Sequence, residues 1–145
     1  MRNALIQNIY PLTPMQEGLL YHSILDEHSE AYFDQTVITL NERLNAETLK
    51  ESFQTLIDRY DVLRIVFVFK ETDQPLQVVL ANREATIDYR DITELNEAEQ
   101  RLYVDNFTIN DRKMRFDLEK DLLIRISVLA LSDTSCKMVL SCHHI

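Results

Sequence analysis

Two runs dense in valine, isoleucine and leucine, Leu123 to Leu131 and Lys137 to His143, are joined by only the polar tetrapeptide Ser132-Asp133-Thr134-Ser135. Runs of that composition with so short a link fold as neighbouring antiparallel strands. The second run leads directly into Ser141-Cys142-His143-His144-Ile145, where the sequence stops. A strand that reads as buried needs a following element to cover it. The chain is therefore expected to be cut from a longer polypeptide.

The rest of the chain alternates irregularly between helical and extended patterns. After a short polar lead, residues 1 to 10, Thr13-Pro14-Met15-Gln16 matches a helix start, with Thr13 as N-cap and Pro14 in the first position. That helix is predicted over about Pro14 to Leu25. Tyr32 to Leu40 is predicted as a strand. Asn45 then caps a helix whose Leu49, Phe53, Leu56, Ile57 and Tyr60 fall on one face. Leu63 to Phe69 and Leu76 to Leu80 flank the turn signal Asp73-Gln74-Pro75 and read as a hairpin. Ala85 to Tyr89 is a further candidate strand. Asn96 with Glu99 gives a capping-box start to a third helix reaching about Asp111.

The resulting order, αβαβββαββ, lacks regular βαβ alternation. It predicts an α+β domain with helices packed on a mixed or largely antiparallel sheet, not a doubly wound nucleotide-binding fold. The single glycine, Gly18, leaves no glycine-rich phosphate loop. At 145 residues, 46% of them hydrophobic, one core or one lobe is expected. A formal charge of −9 repels phosphate backbones and anionic lipid, so no nucleic-acid or membrane partner is expected. No apolar run is long enough to span a bilayer, and a cytoplasmic location is expected.

Cys136 and Cys142 lie six apart in one predicted strand, on one face but too distant to bridge, and are expected as reduced thiols. Cys142, His143 and His144 could be imagined as metal ligands with His22 or His28. Adjacent ligands on opposite strand faces are badly placed for that, and no metal is expected. A His-His pair at a strand end is, on residue type alone, most often structural.

Three segments together resemble the condensation domains of nonribosomal peptide synthetases: Tyr10-Pro11-Leu12-Thr13-Pro14-Met15-Gln16-Glu17-Gly18, Arg59-Tyr60-Asp61-Val62-Leu63-Arg64-Ile65-Val66-Phe67, and Ser141-Cys142-His143-His144-Ile145. Phe116-Asp117-Leu118, followed by Leu123 and Arg125, is similar to a fourth stretch of the family. The last segment looks like the opening of the family's His-His-x-x-x-Asp-Gly motif, whose Asp and Gly fall beyond Ile145. Tyr60 and Ile65 depart from the His and Thr common at their positions.

The resemblance implies one half, the N-terminal lobe over residues 11 to 145, of a chloramphenicol-acetyltransferase-like pair of lobes with a tunnel between them. Donor and acceptor peptidyl carrier domains would present phosphopantetheine-bound substrates from its two ends, with no cofactor bound directly. The implied reaction is attack of an acceptor amine on a donor thioester. By its position in the motif, His144 would be the base or adduct stabiliser, adjacent strand residues pointing to opposite faces. His143 would be structural. Arg64 resembles the arginine that pairs with the motif's aspartate, a partner expected to be missing here.

Holding two tethered substrates in line can itself supply several kcal/mol, so His144 could chiefly orient. Residues 1 to 10 would be a docking segment for an upstream synthetase subunit. The Thr-Pro-Met-Gln-Glu-Gly form of the first motif also looks like condensation domains that take a D-configured donor. An epimerization domain, which shares fold and motif, and a non-catalytic docking or structural fragment are the alternatives. The chain alone is expected to form no peptide bond.

Overall fold

The computed structural model describes residues 5–25, 32–70 and 72–145. Its elements are β1 (Ile6–Pro11), α1 (Pro14–Leu25), β2 (Phe33–Leu40), α2 (Ala46–Arg59), a 3₁₀ turn (Asp61–Arg64), β3 (Ile65–Val68), β4 (Leu76–Leu80), β5 (Ile87–Asp91), α3 (Glu97–Lys113), β6 (Ile124–Ser132) and β7 (Ser135–His143). The strands form two sheets, a three-stranded one in the order β1-β4-β3 and a four-stranded one in the order β2-β7-β6-β5.

Each helix begins where its capping chemistry sits. The Thr13 hydroxyl accepts from Gln16 N–H at 3.3 Å while the Gln16 side chain accepts from Thr13 N–H at 3.0 Å. Asn45 Oδ1 accepts from Thr48 N–H at 2.9 Å. Asn96 and Glu99 form a complete capping box. Each cap satisfies amide donors that the first helical turn leaves without partners.

The long apolar runs of β6 and β7 are explained by burial on both faces of the four-stranded sheet. Leu129 packs with Ile92 and Val104 under α3, whereas Ile124 and Ile126, of opposite parity, pack with Phe53 and Ile57 of α2. A strand covered on both sides reads as a continuous run instead of an alternation. Each large side chain buried there contributes about 1.5–3 kcal/mol, so this sandwiching outweighs the helix propensities of α2 and α3. A further cluster, Leu12, Leu20, Phe33, Phe67, Phe116 and Leu118, ties α1 to both sheets.

The structure departs from the sequence reading at the N-terminus. Ile6–Pro11 is not a polar lead but the strand β1, antiparallel to β4, with Ile9 opposite Val78 and Tyr10 opposite Gln77. A boundary between residues 10 and 11 therefore cuts a strand, and residues 1–4 of the expected docking segment lie outside the described residues. Pro11, at the strand's end, is where a sheet edge tolerates a missing N–H. The fifth strand starts two residues later than expected and runs parallel to β6. α3 continues to Lys113, two residues past the expected Asp111.

Candidate active site at the end of β7

β7 is the second strand of its sheet, between β2 and β6, and its register fixes which way each residue of the Ser141–Ile145 segment faces. Ser141 lies opposite Gln35 and Arg125, Cys142 opposite Asp34 and Ile124, and His143 opposite Phe33. Ser141 and His143 share the face that carries α3, while Cys142 and the residue two beyond it, His144, share the other.

Beneath the motif, Asp111 of α3 is 3% exposed. Its Oδ2 accepts from the Ser141 hydroxyl at 2.5 Å and from Gln35 at 2.9 Å, and its Oδ1 from Arg125 Nε at 3.1 Å. Arg125 also donates to the carbonyls of Asp111 and Arg115, and its guanidinium stacks 4.2 Å from the Phe116 ring centroid. A buried carboxylate is tolerable only when paired and hydrogen-bonded in this way. Three strands and a helix are thus pinned together two residues before the first histidine. Gln35 gave no signal in the sequence, and Asp111 read only as a helix end. A carboxylate on the core side of an amphipathic helix, with an arginine in a later apolar run, is the pattern that could have found the pair.

His143 is held at both ring nitrogens. The Ser23 hydroxyl donates to Leu19 C=O at 2.9 Å, so its oxygen accepts from His143 Nε2 at 3.3 Å, and His143 Nδ1 accepts from the Ile145 N–H at 3.2 Å. That arrangement places the ring proton on Nε2. Burial, reinforced by the charge of His144, lowers the His143 pKa from 6.5 to about 4.

Between those two values the unfolded chain binds a proton that the folded chain does not, so the stability from a neutral His143 is full above pH 6.5 and lost as pH falls toward 4. With a discount for partial solvent access, the loss is about 1–2 kcal/mol. Unfolding free energies from urea titration at pH 7 and pH 4.5 are expected to differ by that amount more in wild type than in His143→Gln.

His144 lies on the other side, its side chain 69% exposed. Its N–H donates to Tyr32 C=O at 2.9 Å, and its Nδ1 lies 3.0 Å from Asp34 Oδ2. Cys136 and Cys142 are both free, and burial pushes the Cys142 thiol up. Among the described residues no group of three or more His, Cys, Asp and Glu side chains could hold a metal ion, and His28 lies outside those residues. No described helix is long and apolar enough to cross a membrane.

Arg64 does not join this cluster. It is 4% exposed and donates to five acceptors: Leu80 C=O through Nε, the carbonyls of Ile57 and Asp58 through Nη1, and Gln7 Oε1 and Asp61 Oδ1 through Nη2. The carboxylate it meets is not the motif's aspartate but Asp61, at 2.5 Å. All five guanidinium hydrogens are used, and a further aspartate could bind only by displacing one of these acceptors.

Segments distant in the chain nonetheless meet. A cleft of about 300 Å³ is lined by Gln16, by Val62, Leu63, Ile65 and Phe67, by Leu123 and Ile124, and by Cys142 through Ile145. A second cleft, of about 260 Å³, is bounded by Ser23, Phe33, Phe69, Lys70 and Phe116. His143 forms part of both walls.

The model of the condensation-domain family matches residues 6–145. A linear gramicidin synthase polypeptide from Brevibacillus parabrevis is 43% identical over 145 residues, covering 100% of the chain and 3% of that protein. A plipastatin synthase polypeptide from Bacillus subtilis is 41% identical over 140 residues, covering 97% of the chain and 6% of that protein. Among solved structures, the starter condensation domain of rhizomide synthetase superposes with a TM-score of 0.82 at 17% identity, over 95% of the chain and 34% of its own. The first condensation domain of the calcium-dependent antibiotic synthetase, in complex with a substrate analogue, gives 0.82 at 15% identity, over 96% and 33%. The chain thus spans a few per cent of these synthetase polypeptides and about a third of the solved chains.

Proposed function

Because the chain belongs to the condensation-domain family, we propose that it forms one wall of a site that joins carrier-tethered aminoacyl or peptidyl thioesters in cytoplasmic nonribosomal peptide synthesis. The observation that carries this reading is the convergence of the first motif, the Val62–Phe67 stretch and the histidine segment on one cleft. Donor and acceptor peptidyl carrier domains are the partners, each delivering its substrate on phosphopantetheine.

The acceptor's amine lone pair adds to the donor thioester carbonyl carbon, a C–N bond forms and the C–S bond breaks. The proton leaving nitrogen passes through His144 to the departing thiolate. A side chain as exposed as that of His144 is free to meet both substrates. His143, neutral and tied to Ser23 and to the Ile145 amide, holds the backbone on which His144 sits.

The test is a transfer assay with loaded donor and acceptor carriers, read by intact-protein mass spectrometry. The full-length polypeptide carrying this sequence is expected to move the donor acyl group onto the acceptor amine. Residues 1–145 alone are expected to give no turnover, because they span only about a third of the solved chains they resemble. Epimerised donor without transfer would overturn the reading, and so would transfer by residues 1–145 alone.

A further inference from the structure

Resting on the reading of His144 as the group that handles the amine proton, we propose that Asp34 is its positioning residue, fixing the imidazole as the tautomer with Nδ1 protonated and Nε2 free to accept. Asp34 belongs to none of the segments that carry the family resemblance. It enters the site only through the β2–β7 register.

A carboxylate accepts and does not donate, so at 3.0 Å between Asp34 Oδ2 and His144 Nδ1 the ring proton lies on Nδ1. The lone pair at Nε2 is then directed away from Asp34. His143, one residue earlier, holds its proton on Nε2 against Ser23, so the two adjacent rings are set in opposite tautomers by different partners. Asp34 pairs with Cys142 across the sheet, which makes His144 its diagonal neighbour on the same face.

The backbone is arranged to keep that diagonal short. His144 N–H donates to the carbonyl of Tyr32, two residues before Asp34. Tyr32, at φ 66°, is the single non-glycine residue with positive φ among the described residues. A tyrosine in the left-handed region costs about 1 kcal/mol or more and persists where surrounding structure requires it. Here the strained residue carries the carbonyl that fixes His144, while Asp34 fixes the ring. Backbone and side chain of His144 are thus both anchored to the start of one strand.

In free solution a neutral imidazole favours the proton on Nε2, the wrong tautomer for a base working through that atom. Orientation by a carboxylate is the usual means of reversing this preference. The lone pair that is exposed is then the one that can take the amine proton as the C–N bond forms.

The test combines spectroscopy with rate. Nitrogen-15 imidazole spectra of the chain are expected to show His144 protonated on Nδ1 in wild type and redistributed toward Nε2 in Asp34→Ala. In the full-length polypeptide, Asp34→Ala is expected to lower kcat of transfer about 10-fold with KM for the loaded carriers within twofold. Asp34→Glu, which keeps the carboxylate, is expected to recover most of the loss. An Nε2-protonated His144 in wild type overturns the proposal. So does an Asp34→Ala enzyme at full rate beside an inactive His144→Ala enzyme, which leaves the reading of His144 intact. Full rate in His144→Ala overturns that reading, and with it the catalytic meaning of the pair.

Discussion

His144→Ala is expected to lower carrier-to-carrier transfer by a factor of about 100 or more, with the fold intact and KM for the carriers little changed. A positioned acid–base group contributes about 10²–10⁴ in rate. The side chain of His144 is 69% exposed, and among the described residues its ring hydrogen-bonds to Asp34 alone, so its removal opens no cavity and strands no buried group. Rate and stability are therefore expected to separate cleanly in this variant.

His143→Ala is expected to show the opposite balance, a lower unfolding midpoint with a smaller loss of rate, because its ring contacts are internal. Single-turnover transfer and thermal unfolding on the same preparations check both statements. If holding the two tethered substrates in line supplies nearly all of the acceleration, the His144→Ala loss stays below about tenfold, and the base role fails.

Arg64→Ala is expected to destabilise the chain by about 3–5 kcal/mol, the effect of removing one member of a buried charged network. Two of the five acceptors, the carbonyls of Ile57 and Asp58, belong to the last turn of α2, so the guanidinium closes the C-terminus of that helix where its dipole favours a cation. Leu80 and Gln7 anchor it to β4 and β1. Removal leaves buried carbonyls without donors at the junction of a helix and two strands.

With total stabilities of about 5–15 kcal/mol for ordinary domains, such a loss is enough to unfold much of the population. Lysine offers a point charge with three donors in place of a five-donor fork, and Arg64→Lys is expected to recover less than half of the loss. Urea unfolding of the three proteins decides the matter. A midpoint for Arg64→Ala within experimental error of wild type would refute the structural role.

What the sequence made legible is what local chemistry controls. Thr13, Asn45 and Asn96 announced their helices because a cap needs only residues a few positions away. β6 and β7 announced themselves because burial on both faces leaves an uninterrupted apolar run. β1 escaped because Gln7 and Asn8 break any alternation and five of its six residues are exposed. Its strand character comes from pairing with β4 some seventy residues later, not from its own pattern.

The division into two sheets, and the parallel pairing of β5 with β6, are long-range choices that no single segment encodes. At the site the motif located both histidines, and strand alternation gave a reason to separate them. The partners Ser23 and Asp34 were invisible, since a serine on a helix and an aspartate on a strand carry no mark until the register brings them opposite the ring they hold.

The pairing of β2 with β7 also sets an order of events. Phe33 meets His143 across the longest sequence separation in either sheet, whereas β3 and β4 join through a short loop. Contacts of high separation pay their loop-closure entropy before they return any stabilisation, so they form late. During synthesis the segment from β1 to β4 can collapse while β7 is not yet made, and β2 waits as an unpaired edge. The seat of His144, built from Tyr32 and Asp34 on one side of that gap, is expected to be among the last parts of the chain to become native. Pulse-labelled hydrogen exchange on refolding would then show amides of β2 and β7 acquiring protection together, after those of β3 and β4.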